Sequence, residues 1–498
     1  MVMMMHKELE TLIIPPDVMN DIDRAAAGEG LDSLGLMERA GRAVGAAALR
    51  RYPGALRFVV LCGPGNNGGD GYVAARHLRE AGAPPAVHAL GDPAMLTGDA
   101  AAMATAFGGP ILPLSDFAPR PGDVVIDALF GAGLSRDVPA DVIAVIGRVR
   151  DLALPVLAVD LPSGVDGRTG GICGAAFQAE ATVTFVCRKP GHLLLPGRML
   201  SGTVELFDIG IPARTVLRHS SHLRVNSPSI WRNALTPAGA GSHKYTRGHL
   251  AVFSGPFTAT GAARLAAAAG LRAGAGLVTL LAAGPALAAN AAHLTAVMLR
   301  RIDDGEGLSA LLEDRRVTTF VLGPGFGDGE RARDYAARIA AAGRRLVLDA
   351  DGISAFRDMP DRLFSLFSGQ VRLVLTPHDG EFERLFPDLA ANRTFSRIDR
   401  ALQAATRSNA VVILKGADTV IAAPDGRALV NVNAPPFLAT AGSGDVLSGI
   451  VGAHLAQGLA PFEAAASAVW RHGEAGRIAG DGLTAEDLPD AVPPWPRD

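Results

Sequence analysis

Residues 57–71 read RFVVLCGPGNNGGDG. A short apolar run ends at Cys62, a glycine-rich turn follows, and a helical pattern continues over 72–81. Strand, glycine turn and helix in that order form the repeating unit of parallel sheets covered by helices on both faces. The same rhythm extends outward. A helix is expected over 17–51, where Met19, Ile22 and Ala26, then Leu36, Met37 and Val44, recur at helical spacing. Further strands are expected at 123–127 (DVVID), 155–160 (PVLAVD), 181–187 (ATVTFVC) and 203–210 (TVELFDIG), with another helical pattern at 95–107.

Residues 212–240 are polar, irregular and dotted with proline, so a domain boundary is placed near 225. Beyond it the rhythm resumes. Buried strands are expected at 249–255, 276–283, 318–325, 345–352, 372–378 and 410–416, and a hairpin at 419–432 turning on Asp425-Gly426. AGSGDVLSGIVGAHLAQG (441–458) reads as a glycine loop running into a helix. The two blocks are not copies of one another. The expected organisation is a Rossmann-like three-layer domain over 1–225 and a second three-layer α/β domain over 226–498.

Composition supports two sizeable cores. The chain has 498 residues, 48% hydrophobic and 19% charged, which is the reverse of a disordered balance. The net charge of −3 argues against a large nucleic-acid surface. Three cysteines are too few for a disulfide framework or a zinc site. MVMMMHKELETL lacks the apolar core of a signal peptide, and the Ala- and Gly-rich stretch 259–292 is cut by Arg264 and Arg272. A cytoplasmic location, with no membrane partner, is therefore expected.

In the first block, three strand ends offer polar groups to one rim. Gly63, Gly65 and Gly68 satisfy G-x-G-x-x-G, a weak signal on its own because such turns often only solve a packing problem. Asn66, Asn67 and Asp70 add polar side chains where α/β folds place ligands. Asp127 precedes a second glycine loop containing Arg136, and Asp160 and Ser163 follow the third strand. Each Asp alone could be a turn former or helix cap. Together their oxygen donors suit a hard cation.

GPGNNGGDGYVAARHL, DALFGAGL, AVDLPSGVDG, RKPGH and MERAGRAVG resemble the NAD(P)H-hydrate epimerase domain over roughly residues 9–215. The resemblance implies interconversion of the R and S forms of nicotinamide hydrated at C6. It implies substrate contacts from Asn66, Asn67, Gly68, Gly69 and Asp70, from Gly131, Ala132, Gly133, Leu134, Ser135, Arg136 and Asp137, and from Asp160. It implies potassium (K+) on Asn67, Asp127 and Ser163. Asp160 is the candidate acid/base, since epimerisation must move protons. Lys189 is a second candidate, competing with a solvated loop charge.

In the second block there is no G-x-x-x-x-G-K-[ST], so a P-loop is excluded. AGSGD (441–445) can supply an anion hole instead: Gly442, Ser443 and Gly444 aim backbone N–H groups, a helix dipole lies behind, and Asp445 sits beside them as a base. The alternative reading is an ordinary glycine-turn helix cap.

HKYTRGH, TATGAARLAA, LRAGAGLVT, GPGFG, DADG, LTPHDGEFERL, LKGADTVIAAPDG and LATAGSGDVLSG are similar to the ribokinase-like, ADP-dependent NAD(P)H-hydrate dehydratases over about 235–480. SGPF, GPGFG and SGD depart from the commoner Gly-Gly-Ser, GPGLG and TGD without removing a needed chemical group. The resemblance implies that Lys415, Gly416, Ala417, Asp418, Thr419 and Gly444 hold the nucleotide, and that Ala262, Gly325, His378 and Asp445 face the hydrate. Alternative readings are a packed core histidine for His378 and a sheet-edge charge for Lys415. Magnesium (Mg2+) with ADP is expected, as is a homo-oligomer. The competing hypotheses are a ribokinase-like small-molecule kinase with a non-catalytic Rossmann-like domain, which predicts a stable phosphorylated product, and a first block that only binds.

Overall fold

The computed structural model describes residues 9–235 and 243–496. The chain divides between Leu223 and Arg224 into two units, each with its own sheet.

In the first unit, seven parallel strands form one sheet. They are β1 (Arg57–Cys62), β2 (Ala86–Ala89), β3 (Leu112–Pro113), β4 (Asp123–Ala128), β5 (Val156–Val159), β6 (Ala181–Phe185) and β7 (Thr203–Phe207). Their spatial order is β3-β2-β1-β4-β5-β6-β7, so the winding direction reverses between β1 and β4. A crevice opens at such a switch point. Both faces are covered: Val60, Cys62 and Ile126 pack into one apolar cluster, while Val59, Leu61 and Val125 pack into the other.

The single helix expected over 17–51 is two helices, α1 (Pro16–Gly28) and α2 (Ser33–Arg51). Gly30 takes φ +89°, and Asp32 caps α2 by accepting from the backbone N–H groups of Leu34 and Gly35. That cap fixes a break which the apolar spacing runs straight across. Helix α3 (Asn66–Glu80) follows β1 after a short turn, its first six residues lying inside the glycine-rich motif.

The stretch 212–240 is more regular than expected where it is described. It holds a helix at Ala213–His219, strand β8 (Leu223–Val225) and a short helix at Pro228–Trp231; its residues 236–240 lie outside the described residues. Elements this short leave no periodicity to read. Trp231 is nevertheless buried, edge-on to Trp470 and Trp495, so the chain's three tryptophans form one cluster.

The second unit's strands are β9 (His249–Phe253), β10 (Leu277–Ala282), β11 (Met298–Arg301), β12 (Val317–Leu322), β13 (Arg345–Leu348), β14 (Leu373–Leu375), β15 (Val411–Leu414), β16 (Val420–Ala422) and β17 (Ala428–Val430). The order is β11-β10-β9-β12-β13-β14-β15-β16-β17-β8, parallel through β15 and antiparallel across β15-β16-β17. The β16–β17 hairpin turns at Asp425-Gly426, where Gly426 takes φ +89°. Again the winding reverses, here between β9 and β12. Helices α4 (Gly261–Arg272), after β9, and α5 (Ser443–Ala456) pack against each other. They approach closely because a Cβ on Gly449 would stand 2.0 Å from the carbonyl oxygen of Ala266. No helix among the described residues is long and apolar enough to cross a membrane.

Candidate functional site

At the first switch point the turns after β1 and β4 touch. A Cβ on Gly63 would lie 1.8 Å from the carbonyl oxygen of Leu129, and one on Gly68 would lie 1.9 Å from that of Gly63. Neither position admits a side chain, whereas Gly65 faces open space. Beside this turn is a cavity of about 740 Å³. Asn66, Asn67, Asp70, the 131–136 loop and Asp160 line it, so the three strand ends do converge. Gly68, Gly69 and Asp137 are not among the lining residues. Gly68 and Gly69 are buried in packing, Gly69 against Met37, and Asp137 lies toward Gly174.

Asp160 is held in the left-handed region at φ +64°, a conformation Asp tolerates better than most side chains. Its Oδ1 accepts from Lys189 Nζ at 2.7 Å and from Thr184 Oγ1 at 3.0 Å, and its Oδ2 from the Ala132 N–H at 2.9 Å. Burial raises its pKa, but the Lys189 ammonium and these hydrogen bonds outweigh that and bring it down to about 2. His192 Nδ1 accepts from the Lys189 N–H (2.9 Å), leaving Nε2–H to donate to the Asp160 carbonyl (2.7 Å). Burial lowers the His192 pKa to about 4, so the ring is neutral at pH 7.

Lys189 is no solvated loop charge: it is 3% exposed and lines the cavity. Its sequence position just after a strand gave no sign of this. Asp23, on α1, also reaches the cavity and was not singled out from the sequence; a lone Asp within a helical pattern carries no signal.

Asp127 and Ser163 are not among the lining residues; both are fully buried and bond to each other. Asp127 accepts from Ser163 Oγ (2.6 Å), from the Ser163 N–H (2.7 Å) and from the Leu129 N–H (3.3 Å). Burial pushes its pKa up to about 6. The Nδ2 of Asn67 is buried without a hydrogen-bond partner.

In the second unit the loops after β9 and β12 interlock. A Cβ on Gly255 would stand 1.9 Å from the Gly325 carbonyl oxygen. Gly325, at φ +61°, would bring a Cβ within 3.5 Å of that of Ala262, so these two predicted residues are neighbours.

Helix α5 starts after Gly442, which takes φ +90°, and presents Ser443, Gly444 and Asp445 in its first turn. Lys415, at the end of β15, reaches this turn: its Nζ lies 3.4 Å from where a Gly444 Cβ would sit. Lys415 is not a sheet-edge charge. Its Nζ donates to Asp349 Oδ1 at 2.8 Å and lies 3.7 Å from Glu381 Oε2. Burial works against the ammonium, but Asp349 and Glu381 more than offset it and raise its pKa. Ser448, one turn into α5, donates to Asp349 Oδ2 at 2.5 Å. Asp349 therefore ties β13, β15 and α5 together. It sits in the DADG motif, and its strand-end position was the available signal.

Asp445 is partly exposed, and its carboxylate has no hydrogen bond or ion pair with a described residue. Burial raises its pKa, Asp349 adds to the rise, and Lys415 opposes it, leaving it at about 6.

His378 is 55% exposed, so the packed-core alternative fails. Its Nδ1 caps the helix α6 (Asp379–Leu385) by accepting from the Gly380 N–H at 3.0 Å. It sits beside Lys415 in a backbone bridge. Of the remaining predicted nucleotide residues, Asp418 pairs with Arg397 (3.3 Å) and Thr419 closes the turn by donating to the Gly416 carbonyl (2.6 Å). Gly416 and Ala417 are the intervening loop positions.

Chemically, the first unit offers a cavity with one salt-bridged carboxylate and several amides. The second offers a helix N-terminus, an ammonium and an unpaired carboxylate, the parts needed to place and transfer a phosphoryl group.

Two family models match the chain, one described as NAD(P)H-hydrate dehydratase over residues 250–492 and one as YjeF-related protein N-terminus over residues 33–191. The bifunctional NAD(P)H-hydrate repair enzyme Nnr of Moorella thermoacetica is 36% identical, covering 95% of this chain and 94% of its own. The protein of the same name from Escherichia coli K12 is 32% identical, covering 95% and 91%. Among solved structures, the ADP/ATP-dependent NAD(P)H-hydrate dehydratase of Bacillus subtilis, co-crystallised with ATP and Mg2+, is 25% identical, with a TM-score of 0.46, covering 54% of this chain and 95% of that one.

Proposed function

The chain belongs to the bifunctional NAD(P)H-hydrate repair enzymes, and from that premise we propose what its two sites do. The first unit interconverts R- and S-hydrates of NADH and NADPH. The second dehydrates the S form at the expense of ADP, releasing AMP and phosphate.

The dehydration follows from leaving-group chemistry. Hydroxide leaves poorly from C6 of the hydrated ring. Asp445 accepts the proton of that hydroxyl as its oxygen attacks the β-phosphorus of ADP; the bond to the AMP oxygen breaks and AMP departs. The ring nitrogen lone pair then expels phosphate from C6. Loss of a proton from C5 completes the double bond of NAD(P)H. The backbone N–H groups of Gly442 to Gly444, the dipole of α5 and the Lys415 ammonium stabilise the charge on the transferring group. Lys415 to Thr419 and Gly444 hold the nucleotide, while Ala262, Gly325 and His378 border the hydrate beside Asp445. The observation that carries this reading is Asp445 itself, an unpaired carboxylate in the first turn of α5, next to Lys415.

Mg2+ supplies charge neutralisation on the phosphates when bound. No three acidic, His or Cys groups among the described residues converge into a metal cage. Asp349, Glu381 and Asp445, grouped around Lys415, are the carboxylates that would help hold such an ion once the nucleotide is bound. For K+ in the first unit, Asn67, Asp127 and Ser163 offer only hard oxygen donors on the ligand side. Asp127 is a buried carboxylate with no basic side chain hydrogen-bonded to it, which a monovalent cation would balance. In the same unit, Asn66, Asn67, Asp70, the 131–136 loop and Asp160, which line the cavity, are the proposed contacts for the hydrate.

The test is a mixture of R- and S-hydrates incubated with ADP and Mg2+, and separately with ATP, following the return of reduced-nicotinamide absorbance. Complete recovery with ADP is expected. A stable phosphorylated product with no recovery would favour the small-molecule kinase reading instead.

A further inference from the structure

We propose that Asp70 is the proton carrier of the first unit's cavity and that Asp160, fixed by Lys189, acts there as a permanent negative charge. This rests on the epimerase reading and deepens it: Asp160 is the residue that the proton chemistry would otherwise fall to.

The geometry separates the two carboxylates. Three donors are spent on Asp160, from Lys189, Thr184 and the Ala132 backbone. Lys189 in turn has no donor to spare, because its Nζ also donates to Thr184 Oγ1 (2.9 Å) and to the Phe185 carbonyl (3.2 Å). Protonating Asp160 would break this set and leave a buried ammonium without its anion, a costly state. Asp160 therefore stays ionised while the fold holds.

Asp70 is placed to do the opposite. It lies on α3, one turn in from Asn66, and lines the same cavity. Its side chain has no hydrogen bond or ion pair with a described residue, so a proton can come and go without dismantling structure. Its place is set by close packing, since a Cβ on Gly41 would stand 2.5 Å from the Asp70 carbonyl oxygen. The helix backbone is pressed against α2, so the position of Asp70 relative to the cavity is not free to drift. The charged groups facing it are Asp160, Lys189 and, from α1, Asp23; Asp99 and Arg136 are the other charged residues of the lining. Burial and the negative charge of Asp160 raise its pKa well above the ordinary value, against the pull of Lys189. Two carboxyl groups in one site, driven apart by their surroundings, take different roles.

The step balances as follows. Neutral Asp70 gives its proton to the C6 hydroxyl as the C6–O bond breaks, and the bonding pair leaves with the oxygen as water. The ring nitrogen lone pair forms the N1=C6 bond, and the positive charge so created sits opposite the Asp160 anion. Water then adds to C6 from the other face. Its released proton returns to the Asp70 carboxylate through water in the cavity, and the chain is restored.

The test is interconversion of purified R- and S-hydrates without nucleotide, so that the second unit is idle, followed by chromatographic separation over pH 5–9. Asp70→Asn should lower kcat by roughly 10²-fold or more while KM stays within about threefold. Wild-type interconversion should fall as pH rises, because the acid must be protonated. Asp160→Asn should shift that alkaline limb to lower pH, since the like charge that raises Asp70 is gone. The wild-type profile and the Asp160→Asn shift do not depend on Asp70→Asn folding. Near wild-type kcat in Asp70→Asn, an absent alkaline limb, or a limb that Asp160→Asn leaves in place would each overturn the assignment. A wild-type chain that interconverts nothing at any pH would instead overturn the epimerase reading beneath it.

Discussion

Dehydration should fail on the acid side at an unusually high pH, and Asp445 sets where. Burial and the Asp349 charge lift this carboxyl to about 6 against the pull of Lys415. A base works only when deprotonated, so activity should be present above that pKa and lost as pH falls through it. With a pKa of about 6, the ionised fraction drops from about 91% at pH 7 to about 9% at pH 5, a fall of about tenfold in rate. An unperturbed Asp would stay about 90% ionised at pH 5 and lose almost nothing over the same range. The assay uses S-hydrate alone with saturating ADP and Mg2+, so epimerisation does not enter, and reads the initial return of reduced-nicotinamide absorbance. Asp445→Asn should lower the rate roughly 10²–10⁴-fold, abolish the acid limb and leave nucleotide-free R/S interconversion unchanged. A flat wild-type profile from pH 7 to pH 5, or an Asp445→Asn variant within about threefold of wild type, would refute the reasoning.

Two further outcomes concern stability. Lys189→Met strands Asp160 in a buried site, and removing one partner of a buried ion pair costs about 3–5 kcal/mol; the thermal transition of the first unit should fall by roughly 6–20 °C in calorimetry at pH 7, while S-hydrate dehydration below that transition is retained. Replacing K+ by tetramethylammonium at constant ionic strength should lower the same transition, and Asp127→Asn should remove the difference between the two salts; identical transitions in wild type would count against the cation site.

What could be read in the sequence was whatever depends on neighbours along the chain. The run Arg57–Cys62 is a strand with those very limits, because six residues between a loop and a glycine turn carry their own pattern. The turn that follows needs glycine at 63 and 68 for reasons of backbone contact, and glycine is visible in any sequence. Asn67, Asp160 and Asp445 could be picked out because strand ends and helix starts are local features. Pairing was not visible. Asp160 and Lys189 are 29 residues apart, and Asp349 and Lys415 are 66 apart. Only the order of strands in the sheets brings them together. For the same reason Lys189 read as readily as a solvated charge, and Asp23 read as nothing. For His378 the place at a strand end was legible, but its helix-capping Nδ1 is a matter of local geometry that a TPH triplet does not reveal.

The same dependence on distant partners decides what each carboxylate can do. From the sequence, Asp160 and Asp445 earn the same role, a candidate acid/base, one at a strand end and the other after a glycine loop. In the folded chain a lysine stands next to each, yet the outcome differs. Lys189 spends itself on Asp160, 2.7 Å away, and turns that residue into a fixed anion near pKa 2. Lys415 is committed to Asp349 at 2.8 Å, so Asp445 feels the Asp349 charge more than the lysine and rises to about 6. A lysine near an aspartate therefore does not by itself make a strong acid; Asp160, bonded to its lysine, becomes one, and Asp445, whose neighbouring lysine is bonded elsewhere, is left as the base. Exchanging the partner should exchange the behaviour. In Asp349→Asn, Lys415 is released from its anion and the charge that raises Asp445 is removed, so the acid limb of dehydration should move to lower pH. A limb that stays at about 6 in that variant would mean that burial alone sets Asp445, and that Asp349 serves only to hold Lys415 and Ser448 in place.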